Sequence, residues 1–148
     1  MISRSERFLS AVVVAGICLA AVAGTGTVFY QTRVANPSVE EYFTFINFGR
    51  LLIISHVHLF GYATMGFVLW TLGRRLQVAA DRRFGFLLGL AVGAGILDVL
   101  SWWGVIFVSP SLRFLTFLCG GGFVGGILLS GLLVLRACAR GVGETRAQ

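Results

Sequence analysis

The sequence predicts an all-α fold in which four transmembrane helices form one bundle, and two observations support this class. The first is composition: 57% of the 148 residues are hydrophobic and only 12% are charged. A mean hydropathy of +0.88 is too high for a soluble domain of this size. The second is the grouping of apolar residues into runs that each exceed the roughly 20 residues needed to cross a hydrocarbon core. These runs leave no room for a separate soluble domain, so residues 1–148 are predicted to form a single transmembrane domain. The runs cover residues 8–30, 51–72, 84–108 and 114–135.

Arginine supplies all 12 basic residues, and its distribution predicts the orientation of the bundle. Most arginines lie before the first run, between the second and third runs, or after the fourth. The other two connections contain few arginines, and the first of them also carries Glu40 and Glu41. By the positive-inside rule, both termini are expected in the cytoplasm and residues 31–50 and 109–113 outside, as in a bacterial inner-membrane protein. The first group is Arg4, Arg7, Arg74, Arg75, Arg82, Arg83, Arg136, Arg140 and Arg146, and the second is Arg33, Arg50 and Arg113.

The net charge of +6 therefore indicates topology and attraction to anionic lipid headgroups. Nucleic-acid binding would require a basic face or a recognisable motif, whereas these arginines are spread over separate short segments. We expect no nucleic-acid partner.

The first apolar run also has features of a secretory signal peptide. It follows Arg4 and Arg7, and the small-residue triplet AVA at residues 21–23 resembles a cleavage site. Cleavage would leave three spans. We expect the segment to be retained as the first span, because the sequence GTGTVFY continues the apolar run beyond the length of a typical signal sequence.

The connection between the first two spans is predicted to contain a short helix. Ser38 follows Pro37, and Glu41 comes three residues later, which is the capping-box pattern of a helix start. Aromatic and aliphatic residues follow at helical spacing, which favours a helix lying in the outer membrane interface. Such a helix can anchor the chain, cover a site or dock a partner. The residues concerned are Val39, Tyr42, Phe43 and Ile46, flanked by Phe45 and Phe48.

Three ionisable residues lie within the predicted spans, namely His56, His58 and Asp98. Such residues are candidates for function because burying them in lipid is costly. His56 and His58 point to nearly opposite sides of a helix, since residues two apart differ by about 200°. We expect His58 to face the interior and His56 to face lipid or another subunit. The interior face is Ser55, His58, Gly61, Tyr62, Met65, Gly66 and Leu69; the other is Leu52, His56, Leu59, Phe60, Ala63, Phe67 and Trp70.

His58 and Asp98 are predicted to share a polar pocket in the outer half of the bundle. His58 is predicted to lie roughly 10 Å below the outer surface of the membrane. Asp98 is predicted to lie roughly 15 Å below that surface, and Cys119 roughly 8 Å below it. Close helix packing is predicted around this pocket by two small-xxx-small pairs, Gly121–Gly125 and Gly122–Gly126.

The predicted pocket contains side chains suited to a haem b site. A neutral imidazole is a common haem ligand, and a buried carboxylate can orient it through the second ring nitrogen. We therefore expect His58 to bind haem b or a related redox cofactor in an electron-transfer or quinone-linked complex. Asp98 would orient the imidazole, and Arg50 is positioned to meet a propionate. A second axial ligand would come from another subunit or from Met65, because His56 points away.

The same residues are compatible with other cofactors. A quinone headgroup can hydrogen-bond to His58, Tyr62 or Asp98, and a chlorophyll magnesium can bind one histidine. Copper can bind histidine, methionine and cysteine. The candidate metal ligands are thus His58 and His56. A redox dithiol is not expected, because the cysteines form no CxxC pair; they are Cys18, Cys119 and Cys138.

Two functions without a redox cofactor also fit these residues. The histidines and Asp98 can hold helices together by hydrogen bonds worth about 1–2 kcal/mol, as in a non-catalytic accessory or assembly subunit of a larger membrane complex. They can also form a relay in a metal or proton carrier. In each case the expected partners are the lipid bilayer and other membrane subunits in a homo- or hetero-oligomer.

The segment SHVHLFG, beginning at Ser55, resembles the HVHL helix segments of haem–copper oxidase catalytic subunits and of small bacterial membrane proteins similar to them. In that superfamily such histidines bind haem iron or copper, so the resemblance implies a ligand role for His56 or His58. It extends from His56 to Gly66. The oxidase subunit has many more spans and further ligand histidines. With 2 histidines, this chain lacks the residues for an oxygen-reducing centre.

Overall fold

A computed structural model describes residues 2–36 and 38–144. It contains 4 helices that are long and apolar enough to cross a membrane, judged by length and composition. The described residues include no strand, so the predicted all-α class is confirmed. Pro37 and Arg146, which contributed to the predicted loop helix and the arginine pattern, lie outside the described residues. The helices are α1 (Arg4–Arg33), α2 (Val39–Thr44), α3 (Phe48–Arg75), α4 (Arg82–Phe107) and α5 (Arg113–Glu144), with 3-10 turns at Val78–Ala80 and Pro110–Leu112.

Polar caps start the long helices before their apolar runs begin. At α1, the Ser3 hydroxyl accepts a hydrogen bond from the Glu6 amide at 3.2 Å, and the Glu6 carboxylate accepts one from the Ser3 amide at 2.8 Å. At α3, the Asn47 side chain accepts from the Arg50 amide at 2.8 Å. These acceptors satisfy amide groups that have no partner within the helix. The helices therefore extend past the boundaries that hydrophobicity alone predicts.

A tight turn connects α3 to α4 and makes them antiparallel neighbours. Gln77 adopts a left-handed conformation with φ 60°, and the Asp81 side chain then caps α4 by accepting from the Arg83 amide at 2.8 Å. Because the link is so short, the two helices pack side by side.

The most extensive helix contact joins α4 to α5, and two glycines of α5 permit it. A Cβ atom on Gly126 would lie 2.6 Å from the Ala91 Cβ atom, and one on Gly122 would lie 3.3 Å from the Ala94 Cβ atom. The predicted close packing at Gly122–Gly126 is therefore confirmed. The prediction for Gly121–Gly125 is wrong, because a Cβ atom at either residue meets nothing within 4 Å. One residue along a helix turns the side chain by about 100°, which points this second pair away from α4.

Helix α1 packs against α5 along a narrow strip. Val14 is fully buried, and a Cβ atom on Gly131 would lie 2.6 Å from the Cys18 sulfur. Most other α1 side chains are exposed. The core therefore centres on α4 and α5, with α3 packed against α4 and α1 packed against α5. Its buried members are Val14, Ala21, Leu69, Phe84, Leu88, Ala91, Phe123, Ile127, Val134 and Cys138.

The short helix expected between the first two spans is present as α2. Its N-cap, Ser38, accepts a hydrogen bond from the Glu41 amide at 3.1 Å. The aromatic rings of Tyr42 and Phe43 contact each other edge to face, at 5.5 Å between centroids. Ile46 is buried, whereas Phe45 is exposed. The segment thus has one side against the protein and one side open.

Candidate functional site

His58 is half-buried on α3 and uses one ring nitrogen within its own helix. Its Nδ1 atom lies 2.9 Å from the carbonyl oxygen of Ile54, one turn earlier. A carbonyl can only accept, so in the neutral imidazole this contact places the proton on Nδ1 and leaves the lone pair on Nε2. The helix itself therefore selects the tautomer in which Nε2 can act as an acceptor or a ligand.

Aromatic side chains hold the imidazole from two sides. The ring of Trp102 on α4 meets His58 edge to face, with 4.8 Å between centroids and an interplanar angle of 84°. Tyr62, one turn along α3, makes a similar contact at 5.7 Å. Edge-to-face contacts of this kind restrict ring rotation. The His58 ring is thus positioned by α3 and α4 together.

Asp98 is almost completely buried, with 4% of its surface exposed, and its carboxylate lies beside the side chains of Tyr62 and Trp102. The Tyr62 hydroxyl donates to the Asp98 carboxylate at 2.9 Å and links α3 to α4. On the opposite side, a Cβ atom on Gly120 would lie 3.4 Å from the Asp98 carboxylate. A Cβ atom at this distance makes an ordinary van der Waals contact, so Gly120 lies directly against the Asp98 carboxylate.

The interior around Asp98 is filled by protein. The Tyr62 and Phe123 rings lie 4.0 Å apart between centroids. A Cβ atom on Gly95 would come within 2.6 Å of the Tyr62 ring and 3.0 Å of the Phe123 ring. A macrocycle does not fit between α3, α4 and α5 at this level. The exposed part of His58 therefore lies at the surface of the bundle, and a cofactor on Nε2 would have to lie there too.

The structure pairs the site residues differently from the sequence-based expectation. Asp98 was expected to orient the His58 imidazole, but the Ile54 carbonyl occupies Nδ1 and the Tyr62 hydroxyl binds the carboxylate. A helical histidine in this side-chain conformation reaches the carbonyl one turn earlier, and the longer Tyr62 side chain spans the gap to α4. Asp98 nevertheless lies near His58.

Four further candidates occupy separate positions. His56 is exposed on the opposite side of α3, in line with the helical spacing. Met65 is half-buried against the core, about 10 Å along the helix from His58. A second ligand from Met65 stays a prediction. Arg50 is exposed in the first turn of α3, and Cys119 is half-buried beside Gly120. Among the described residues, no three His, Cys, Asp or Glu side chains form a metal-binding group.

A second set of polar contacts was not predicted. The Trp103 indole donates to the Ser55 hydroxyl at 2.9 Å, which adds another link between α3 and α4. The Ser101 hydroxyl lies 2.6 Å from the Asp98 carbonyl oxygen and 2.7 Å from the Thr116 hydroxyl on α5. Hydroxyl residues one turn from an intramembrane carboxylate are the signal that sequence inspection could have used. Together with Tyr62–Asp98, these contacts form a polar layer across α3, α4 and α5.

The fold and the polar layer define an all-helical chain with 4 helices suited to span a membrane and one buried carboxylate–phenol pair. No protein-family model matches the sequence, and comparison with curated proteins and with solved structures gave no significant match.

Proposed function

We propose that this chain is a four-span protein of the bacterial inner membrane in which His58 would be a ligand to a redox cofactor of the haem b class. The cofactor would lie at the surface of the bundle, between this chain and another membrane subunit of an electron-transfer or quinone-linked complex. The observation that carries the proposal is the hydrogen bond from His58 Nδ1 to the Ile54 carbonyl. It leaves Nε2 with the lone pair that a ligand nitrogen needs.

The surrounding residues have distinct roles in this proposal. Trp102 limits rotation of the His58 ring, so the lone pair keeps one direction. The Tyr62–Asp98 pair places a buried carboxylate behind the imidazole. A bound haem supplies reversible one-electron transfer. A propionate at the bundle surface would be within the charged region that Arg50 provides at the start of α3.

The proposed orientation places both termini and the α3–α4 turn in the cytoplasm, with α2 lying in the outer interface. The arginine distribution supports it. Arg7 lies near Cys138, and Glu6 lies near Arg75, so the start of α1, the end of α3 and the end of α5 share one end of the bundle. That end carries most of the arginines. The aromatic residues of α2 suit the opposite interface.

Absorption spectroscopy of the purified chain tests the ligand assignment. After expression with excess haem precursor, the wild-type protein should show a Soret band. The variant His58→Ala should lose most of that band, and added imidazole should restore part of it by filling the vacated position. His56→Ala is the matched control, since it removes the same side chain from the exposed face of the same helix. A band of wild-type intensity in His58→Ala would refute the assignment.

A second candidate function is a non-catalytic accessory subunit. It is favoured by the links Tyr62–Asp98 and Trp103–Ser55, which join α3 to α4 without any cofactor. A wild-type protein that remains colourless with haem in excess would favour this function. Metal analysis of the same sample tests the copper alternative. That alternative predicts a stoichiometric copper content in the wild-type protein and a lower copper content in His58→Ala.

A further inference from the structure

An open cleft of about 500 Å³ lies at the arginine-rich end of α3. Trp70 and Arg74 of α3 line it together with Gln77, Ala79 and Ala80 of the following turn. We propose that this cleft binds the phosphate headgroup of an anionic phospholipid. The site is separate from His58 and depends only on the membrane location of the chain, not on a redox cofactor.

The aromatic wall of the cleft is held in place by the core. The Trp70 ring stacks on Phe84, with 6.4 Å between centroids and an interplanar angle of 16°. Phe84 is fully buried, while Trp70 is 41% exposed. A Cβ atom on Gly73 would lie 2.5 Å from the Phe84 ring, so the glycine allows this ring to sit against α3. Trp70 is therefore a positioned side chain with one side open.

The chain reversal after α3 forms the floor of the cleft. The Leu76 amide donates to Leu72 at 2.9 Å and the Gln77 amide donates to Arg74 at 3.2 Å, which closes the last turn of the helix. The left-handed conformation of Gln77 then turns the backbone sideways. Two small residues follow, Ala79 and Ala80, and leave the space beside Arg74 unfilled.

The charge around the cleft favours an anion. Arg74 is exposed and has no ion-pair partner among the described residues. Two acidic side chains at this end have contacts of their own, because Asp81 caps α4 and Glu6 caps α1. A guanidinium binds two phosphate oxygens at once, which suits a phosphate monoester or diester. Three more arginines surround the turn and add to the positive potential, namely Arg75, Arg82 and Arg83.

The order of side chains along α3 matches the order of groups in a phospholipid. Tryptophan is enriched at the boundary between acyl chains and headgroups. Arg74 lies one turn beyond Trp70, about 6 Å farther along the axis. The indole would therefore contact the glycerol region while the guanidinium reaches the phosphate. Basic pockets at this position in membrane proteins bind anionic lipid headgroups.

Native mass spectrometry of the full-length protein in detergent tests this site. Phosphatidylglycerol and phosphatidylcholine with identical acyl chains are titrated separately, and one phosphatidylglycerol should bind preferentially. Arg74→Gln should weaken that binding about fivefold, the effect of one arginine near an anionic lipid. Arg83→Gln is the matched control: it removes the same charge from an exposed residue that does not line the cleft, and should change the affinity less than twofold.

Further measurements separate a lipid site from a phosphate site. Trp70→Ala should weaken phosphatidylglycerol binding, because the indole contacts the lipid beyond its phosphate. Inorganic phosphate at the lipid concentration should not displace the lipid. The proposal is overturned if Arg74→Gln and Arg83→Gln weaken binding equally, if phosphatidylcholine binds as tightly, or if inorganic phosphate competes on equal terms. None of these outcomes affects the Soret band that tests His58.

Discussion

Helices α4 and α1 are both apolar enough to cross a membrane, yet the protein buries them to very different extents. In the most apolar part of α4, 39% of the residues are buried, against 11% in α1. Both helices contain glycine and alanine at close spacing. The glycines of α5 that face α4 contact it directly, whereas Gly16, Gly24 and Gly26 of α1 have no other segment within 4 Å of a Cβ position.

The difference shows that hydrophobicity does not decide which helices pack together in this protein. Lipid is as apolar as the core, so helix association in a bilayer depends on close contact and on polar pairs between helices. The contacts of α4 include a glycine of α5 at Ala91 and a carboxylate bound by Tyr62. Those of α1 follow one face along α5, where Val14 is buried and a Cβ atom on Gly131 would lie 2.6 Å from the Cys18 sulfur. Substitutions that affect the two regions differently therefore test this explanation.

The largest effect is expected at the contact between α4 and α5. In Gly126→Val, the new side chain would overlap Ala91 and approach the Leu87 carbonyl oxygen, since even a Cβ atom lies 2.6 Å and 3.0 Å from them. Overpacking of this severity should reduce the free energy of unfolding by about 3 kcal/mol. Unfolding by SDS in mixed micelles, followed by circular dichroism, measures it. Gly125→Val is the control, because its position is open; equal losses in the two variants would contradict the assigned contact.

That pair of glycines also shows how far the fold was predictable. The apolar runs predicted four spans, and the capping pattern at Ser38 predicted α2. The sequence could not show whether Gly121–Gly125 or Gly122–Gly126 faces α4. The two pairs are offset by one position along α5, and the side of α5 on which α4 lies cannot be read from the sequence. The true helix ends were also missed, since polar caps such as Asn47 lie outside any apolar run.

A smaller effect is expected from the polar pair that links α3 to α4. Tyr62→Phe keeps the aromatic ring but removes the hydroxyl that donates to Asp98. The Asp98 carboxylate, which is 4% exposed, would then lose one hydrogen bond. The free energy of unfolding should fall by about 1.5 kcal/mol, near the upper end for such bonds in membrane proteins. Tyr30→Phe removes a hydroxyl from the exposed face of α1, where the side chain is 55% exposed, and should have almost no effect. If both variants unfold like the wild type, the Tyr62–Asp98 bond does not stabilise the fold.

The sequence could predict which face of α3 carries each histidine, but not which side chains of the candidate site bond to each other. The 3.6-residue period distinguishes the faces of His58 and His56 within a single helix, and the exposure of each residue agrees with it. The Tyr62–Asp98 bond joins residues far apart in sequence and depends on how α3 and α4 are rotated about their axes. The His58–Ile54 contact is local, and any helical histidine with this side-chain conformation can form it.

The smallest effect we predict concerns the hydroxyl groups of the two regions. Ser55→Ala removes the acceptor of the Trp103 indole, which lies 2.9 Å away on the neighbouring helix. The loss should be about 0.6 kcal/mol, typical of a hydrogen bond between transmembrane helices, and the indole fluorescence of Trp103 should shift because its N–H loses a partner. Thr27→Ala in α1 removes a hydroxyl that donates only to the Ala23 carbonyl of its own helix at 3.0 Å. That variant should keep the wild-type stability, because the Ala23 carbonyl still accepts a backbone hydrogen bond within the helix. A greater loss in Thr27→Ala than in Ser55→Ala would mean that the exposed face of α1 is stabilised by contacts of its own, and would contradict the distinction between the two regions.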